Sequence, residues 1–118
     1  MPRKLNPNRR GTFELAERTQ QDIREIWSYV GENSPLSADK LITELFGKFQ
    51  LLADNAELGK SRNEFLLDLR SFSFKKYVIF YLPTEYGIDI FRVLHSSRNI
   101  EGVFDDFFDD LETPENRS

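Results

Sequence analysis

The sequence predicts an α+β domain in which a helical hairpin packs against a small antiparallel sheet. Two stretches with helical periodicity come early in the chain, between about Gln20 and Ala53. Two runs rich in β-branched and aromatic residues, Tyr77 to Leu82 and Ile88 to Leu94, follow later. The turn residues from Pro83 to Gly87 separate these runs, so they form a hairpin. Helices that are grouped apart from consecutive strands are typical of an α+β domain, here in the order β-α-α-β-β-β-α.

Length and composition favour one folded domain. The chain has 118 residues, of which 39% are hydrophobic and 14% aromatic, enough for a single core. There is no cysteine, which excludes disulfides and thiolate chemistry and fits a reducing, cytoplasmic environment. A single histidine without clustered carboxylates predicts neither a metal site nor a cofactor. No apolar run reaches the roughly 18 residues of a membrane helix, so no membrane association is expected.

The N-terminal sequence predicts a mobile arm followed by an edge strand. Residues 1–10 are basic and contain two prolines and two asparagines, so we expect a mobile basic arm. The folded domain is expected to span residues 11–98. Within it, Phe13 and Leu15 alternate with polar residues, which indicates a short edge strand.

The first helix is predicted from about Gln20 to Val30. Thr19 with Asp22 three positions later resembles a capping box, which marks the start of a helix. Apolar residues then follow at helical spacing, and Trp27 is interpreted as a core residue. The segment from Gly31 to Ser34 ends this helix.

The second helix is predicted to open at Pro35 or Ser37 and to end at Asp54 and Asn55. Its apolar stripe needs a surface to cover, and the sheet is the large apolar surface available. The stripe consists of Ala38, Leu41, Ile42, Leu45, Phe49, Leu52 and Ala53, with Phe46 beside it.

The central strands belong to the middle of the sheet. Neither face of the run from Tyr77 to Leu82 is polar, so we expect it to be buried on both sides. A third strand is predicted before it, at about Leu67 to Phe74. The polar segment from Glu57 to Glu64 is predicted to be a loop.

The C-terminal segment differs in charge from the rest of the chain. Residues 1–100 carry 15 basic and 13 acidic side chains, whereas residues 101–118 carry one arginine and seven acids. Residues 99–112 are predicted to form an amphipathic acidic helix, and residues 113–118 a disordered end. The helix either packs on its own sheet or offers a surface for self-association or a partner. A further hypothesis is that this acidic segment folds over the basic strand end and competes with a target. The apolar stripe consists of Ile100, Val103, Phe104, Phe107, Phe108 and Leu111.

Cationic and titratable residues near the strand ends are the candidate site residues. His95 is the one side chain with an unperturbed pKa near neutrality, which suits it to acid–base work or to a structural hydrogen bond. Arginine binds phosphates and carboxylates through two parallel hydrogen bonds, and it also forms ordinary surface ion pairs. We therefore expect five cationic or titratable residues to contact the target. The candidates are Arg62, Arg70, Arg92, His95 and Arg98.

Several motifs between about Phe13 and Arg98 together resemble a known family. They read ERTQQDIREIWSYV, SADKLITELFGKFQLLADNAELGKSRNEF, LRSF, KYVIFY and IFRVLHSSR, in this order. The sequence resembles the ParE group of the RelE/ParE superfamily, the toxins of bacterial type II toxin–antitoxin pairs. The resemblance implies a helical hairpin against a small antiparallel sheet, in agreement with the periodicity.

The resemblance implies one of two activities. ParE-like members bind DNA gyrase and poison it, whereas RelE-like members cut messenger RNA in the ribosomal A site. The cutting reaction needs groups that move protons and stabilise a phosphorane, so RelE-like sites gather basic side chains, often with a tyrosine near the C-terminus. Here Phe104, Phe107 and Phe108 occupy the last segment, which has no tyrosine. This departure favours a toxin that binds gyrase and has no catalytic residues of its own.

Two alternatives remain open at this stage. One is a ribosome-dependent RNase whose site would consist of His95, Arg98 and Arg92, beside Arg70, Lys75 and Lys76. The other is a non-toxic member that only pairs with its antitoxin. In each case the resemblance implies a cognate, ParD-like antitoxin, and a homodimer or a higher toxin–antitoxin assembly is a further expectation.

Overall fold

A computed structural model describes residues 11–112 of the chain. The mobile arm predicted for residues 1–10 and the disordered end predicted for residues 113–118 lie outside the described residues. In chain order the elements are β1 (Thr12–Leu15), α1 (Glu17–Gly31), α2 (Pro35–Asp54), β2 (Lys60–Ser61), β3 (Arg70–Phe74), β4 (Tyr77–Pro83), β5 (Gly87–His95) and α3 (Ile100–Glu112).

The five strands form one sheet in the order β1-β5-β4-β3-β2. The predicted α+β class and element order are confirmed, with two differences in the sheet. β1 pairs with β5 in parallel, so the sheet is mixed, whereas the other pairs are antiparallel. β1 and β5 are far apart in the chain, with both helices between them. No tight turn therefore fixes whether the two strands pair in parallel or antiparallel. β2 lies within the predicted loop, and two polar residues carry no periodic signal that could have revealed it.

Both faces of the sheet are covered, as the apolar character of β4 predicts. Ile79 and Tyr81 lie on one face, in a core completed by α1 and α2. Phe80 lies on the other face, with Leu69 and Phe104. All five of these side chains are buried, which places β4 at the centre of the domain.

α2 begins as the sequence predicts. Pro35 is its first residue, and the Oγ atom of Ser34 accepts a hydrogen bond of 3.1 Å from the backbone N–H of Ser37. The prediction that Trp27 is a core residue is wrong. Its side chain is 39% exposed, and the indole N–H donates a 2.8 Å hydrogen bond to Asp39 at the surface. An indole N–H needs a polar partner, which the apolar interface between the helices and the sheet does not offer.

The start of α1 also differs from the prediction. α1 begins at Glu17, and Ala16 occupies its N-cap position without a side-chain hydrogen bond. Thr19 is fully buried and does not cap the helix, because its hydroxyl donates a 2.8 Å hydrogen bond to the carbonyl oxygen of Ile90. The N–H of Ala16 donates to the same oxygen. The first turns of α1 are thus attached to β5 at the residue where its pairing with β1 ends.

α3 packs on the face of the sheet opposite α1 and α2. Phe104 is its buried anchor, and its ring stacks on that of Phe65 at a centroid distance of 4.8 Å. Phe80 approaches the same ring edge-on at 5.2 Å, and Phe91 stacks on it at 5.8 Å. The apolar contacts become fewer along the helix, and Leu111 is 64% exposed. Aromatic packing centred on Phe104 therefore holds α3 on the sheet, with Ile100 and Val103 beside it and Phe107 against Phe91.

Candidate target-binding site

The end of the sheet where β5 finishes brings several of the predicted site residues together. Tyr77, the first residue of β4, pairs with His95, the last residue of β5. The N–H of Ser96 donates to the carbonyl oxygen of Lys76 in the β3–β4 turn, and the N–H of Arg98 donates to the carbonyl oxygen of His95. His95, Arg98 and the β3–β4 turn therefore lie at the same end of the sheet.

His95 is held in one orientation by its own turn. The backbone N–H of Ser97 lies 3.1 Å from its Nδ1 atom, and the Ser97 hydroxyl lies 2.8 Å from the same atom. A backbone N–H can only donate, so Nδ1 acts as the acceptor, and the neutral ring then carries its proton on Nε2. The ring also meets that of Tyr77 edge-on at 5.4 Å. His95 is therefore oriented to donate from Nε2.

A depression of about 390 Å³ lies between α1 and this end of β5. We call it the α1–β5 groove and define it by Asp22, Glu25, Ile26, Tyr29, Tyr77, Val93, Leu94, His95, Ser97 and Arg98. Desolvation by burial raises the pKa of Tyr77, and the nearby Tyr29 acts in the same direction. The Tyr77 phenol therefore keeps its proton at neutral pH and can donate a hydrogen bond within the groove.

β1 does not cover the edge of β5 along this groove. The pairing between β1 and β5 runs only from Gly87 to Ile90. Further along, the backbone N–H of Val93 donates a 3.0 Å hydrogen bond to the carboxylate of Asp22 on α1. Side chains of α1, not a strand of the described residues, therefore border the last part of this edge.

Arg92 is not part of this surface. Its side chain is 11% exposed, and its guanidinium binds the carboxylate of Asp22 through two hydrogen bonds, Nε to Oδ2 at 2.8 Å and one terminal nitrogen to Oδ1 at 3.0 Å. Arg18 donates a further 3.0 Å hydrogen bond to Oδ1. The Asp22 carboxylate is thus surrounded by donors, and the pair fastens α1 to β5. We therefore leave Arg92 out of the proposed target surface.

Arg70 and Arg62 lie at the other end of β3, away from His95. The guanidinium of Arg70 donates to the carbonyl oxygens of Gly59, at 2.5 Å, and Glu57, at 3.4 Å. The Nε atom of Arg62 lies 3.2 Å from a carboxylate oxygen of Glu64, and its guanidinium lies over the ring of Phe65. Arg70 thus fastens the segment around β2 to β3, whereas the Arg62 side chain contacts residues two and three positions further along the chain. Of the five predicted residues, the structure brings only His95 and Arg98 together at the groove.

The sequence did not single out Tyr29 or Glu25 as site residues. Both belong to α1 and line the groove only because α1 lies across the end of β5. Helical periodicity places Tyr29 on the exposed side of α1, where its side chain is 72% exposed, but periodicity does not say which strand that side approaches. No local signal in the sequence could have found them.

Residues 11–112 contain neither a metal-binding cluster nor a membrane-spanning helix. Within this range no three histidine, cysteine or carboxylate side chains are gathered closely enough to hold a metal ion. No helix in the same range is both long and apolar enough to cross a membrane.

The fold is thus a helical hairpin fastened to the last strand of a small mixed sheet. A family model described as "ParE toxin of type II toxin-antitoxin system, parDE" matches residues 13–100, which is most of the chain. The chain therefore belongs to the ParE toxin family. α3 lies almost entirely beyond the matched residues.

Comparison of structures agrees with this assignment. The chain is similar to one described as "Chromosomal ParDE TA system from P. aeruginosa", with a TM-score of 0.61 and 17% sequence identity. The similarity covers 72% of this chain and 95% of the other, and at this identity it shows a shared fold. No curated protein sequence matches the chain.

Proposed function

We propose that this ParE-family protein inhibits DNA gyrase by binding it, and that a cognate antitoxin keeps it silent. The observation that carries the binding role is the burial of Arg92. A ribosome-dependent RNase would draw on His95, Arg98 and Arg92, but the guanidinium of Arg92 is held by Asp22. An arginine in that position cannot reach a phosphate without breaking a buried ion pair.

The orientation of His95 supports the same conclusion. A general base must present a free lone pair to the proton that it removes. The Nδ1 lone pair accepts from Ser97, and Nε2 carries the proton of the neutral ring. In this state His95 is a hydrogen-bond donor, which suits contact with a partner better than proton abstraction.

The α1–β5 groove has the composition of a protein-binding surface. Tyrosine and arginine are the residue types that contribute most to binding at protein interfaces, and Tyr29 and Arg98 both lie exposed at this groove. The phenols donate hydrogen bonds, and the Arg98 guanidinium can bind a carboxylate through two of them. We therefore infer that gyrase is contacted through Arg98, His95 and Tyr29.

Arg98→Ala is expected to weaken binding to purified gyrase by at least tenfold, because it removes the exposed cation of the groove. Lys60→Ala is the matched control, since it removes an exposed cation from β2 near the far edge of the sheet. Surface plasmon resonance with immobilised gyrase measures both affinities. Equal affinities for the two variants would refute the role given to the groove.

The antitoxin is proposed to lie in the same groove. Ile26, Val93 and Leu94 supply apolar lining, and the adjacent edge of β5 is not covered by β1. An amphipathic helix or an extended segment of the antitoxin can bury apolar side chains there. Such a segment would also cover His95 and Arg98, so the antitoxin would compete directly with gyrase.

Tyr29→Arg is expected to lower antitoxin affinity by at least tenfold, since it replaces the exposed aromatic ring of the groove with a second cation near Arg98. Tyr86→Arg is the control, because Tyr86 is similarly exposed, at 60% against 72%, and does not line the groove. Isothermal titration calorimetry with the antitoxin distinguishes the two. A loss of affinity in Tyr86→Arg but not in Tyr29→Arg would place the antitoxin elsewhere.

A further inference from the structure

A second charged surface lies on α2 and the β3–β4 turn, outside the α1–β5 groove. Glu44 is its centre, and its carboxylate accepts a 2.7 Å hydrogen bond from the ammonium group of Lys75. Lys40 and Lys48 flank Glu44 on α2, one helical turn before it and one after it. We define Lys40, Lys48 and Lys75 as the lysine cluster. It carries three positive charges around a single carboxylate.

Two of these lysines share a contact, and all three influence Glu44. The ammonium groups of Lys48 and Lys75 lie 5.2 Å and 5.4 Å from the centroid of the Phe74 ring, which attracts both. The hydrogen bond from Lys75 lowers the pKa of Glu44 against the opposing effect of desolvation, and the charges of Lys75, Lys40 and Lys48 also lower it. The cluster is thus a region of excess positive charge held close to α2.

A glycine leaves an open position on the helix surface beside the cluster. Gly47 lies between Glu44 and Lys48 in the middle of α2, where glycine is an unfavourable residue for a helix. A side chain there would meet nothing within 4 Å, so no packing constraint inside the described structure requires glycine. Its absence of a side chain lets a partner backbone approach the helix closely.

The cluster is separated from the acidic part of the chain. α3 carries the exposed acids Glu101, Asp105, Asp106, Asp109 and Asp110, and it packs on the opposite face of the sheet from α2. Surface charges are screened over about 8 Å at physiological ionic strength. The formal net charge of −4 therefore does not describe the field at the lysine cluster.

We propose that the lysine cluster binds the phosphate backbone of double-stranded DNA. Lys40 and Lys48 are eight residues apart, a span of about 12 Å along the helix axis, and Lys75 lies between them. Ammonium point charges spaced along one helix suit a row of phosphates, and this contact requires no recognition of bases. This inference goes beyond gyrase inhibition and does not rest on it, because it concerns a different surface and a different ligand.

The test is fluorescence anisotropy of a labelled 20-base-pair duplex titrated with the full chain. Non-specific affinities of about 10 μM are typical of such contacts at moderate salt. Three neutralised phosphates predict a fall in affinity of about 40-fold between 50 and 200 mM salt. Lys48→Gln is expected to reduce the slope of log affinity against log salt by about one unit, whereas Lys60→Gln leaves the slope unchanged.

Two further measurements make the proposal specific. Gly47→Gln is expected to weaken DNA binding at least fivefold, because its side chain holds the duplex away from α2, while circular dichroism confirms that the helix remains folded. Poly-glutamate of the same total charge is expected to compete poorly with the duplex. Equal slopes for Lys48→Gln and Lys60→Gln would overturn the proposal, and so would equal competition by poly-glutamate, which would indicate an acidic polypeptide as the partner. Gyrase is absent from these titrations, so failure here leaves the proposed function untouched.

Discussion

Asp22→Ala is expected to lower the free energy of unfolding by about 3–5 kcal/mol. The side chain of Asp22 is 3% exposed, and its carboxylate accepts hydrogen bonds from Arg92, Arg18 and the backbone N–H of Val93. Its removal leaves the Arg92 guanidinium buried without a counter-charge. Urea unfolding followed by circular dichroism measures the loss.

Two control variants separate the ion pair from a general effect of substitution. Asp39→Ala removes an exposed hydrogen bond to Trp27 and is expected to change the stability by about 1 kcal/mol or less. The double variant Asp22→Leu with Arg92→Leu is expected to recover most of the loss, because it removes both buried charges together and leaves neither unpaired. A double variant as unstable as Asp22→Ala would show that the hydrogen bond to Val93, and not the charge pair, dominates.

Phe104→Ala is expected to reduce the stability by about 3–5 kcal/mol and to release α3 from the sheet. Phe104 is the buried side chain through which α3 contacts Phe65, Phe80 and Phe91. Its loss leaves a cavity against Phe80 at the centre of the sheet. Urea unfolding measures the change, and hydrogen exchange of the α3 amides reports whether the helix has separated.

Leu111→Ala is the matched control in the same helix. Leu111 is 64% exposed, so its truncation is expected to change the stability by about 0.5 kcal/mol or less. This comparison is informative because almost all of α3 lies beyond the residues that the family model matches. If Phe104→Ala were as mild as Leu111→Ala, α3 would be an appendage of the domain with no part in its core.

The fold was predictable from the sequence because its signals are local and strong. The run from Tyr77 to Leu82 is apolar on both faces, and the structure buries it between α2 and α3. Thr19 and Asp22 have the spacing of a capping box, so the sequence predicted that they cap α1. In the structure both side chains form hydrogen bonds with the backbone of β5. Residue spacing alone does not distinguish a side chain that caps its own helix from one that hydrogen-bonds to a distant strand.

The candidate site was predictable only in part. His95 and Arg98 are close in sequence, so one turn is enough to bring them together. Arg92 is only a few residues away, but burial depends on the position of α1, which no local pattern specifies. The groove itself is defined by how a helix crosses a strand end, and for that reason Tyr29 was found only in the structure.

We propose that this ParE-family protein inhibits gyrase by binding it and does not cut messenger RNA. To test this, one preparation of the protein is added to purified gyrase and, separately, to ribosomes that carry messenger RNA. Supercoiling, DNA cleavage and messenger RNA cleavage are then measured. The account predicts loss of supercoiling activity with accumulation of gyrase-cleaved DNA, reversal by antitoxin, and intact messenger RNA. Unaffected gyrase together with cuts in the messenger RNA at the ribosomal A site would contradict it.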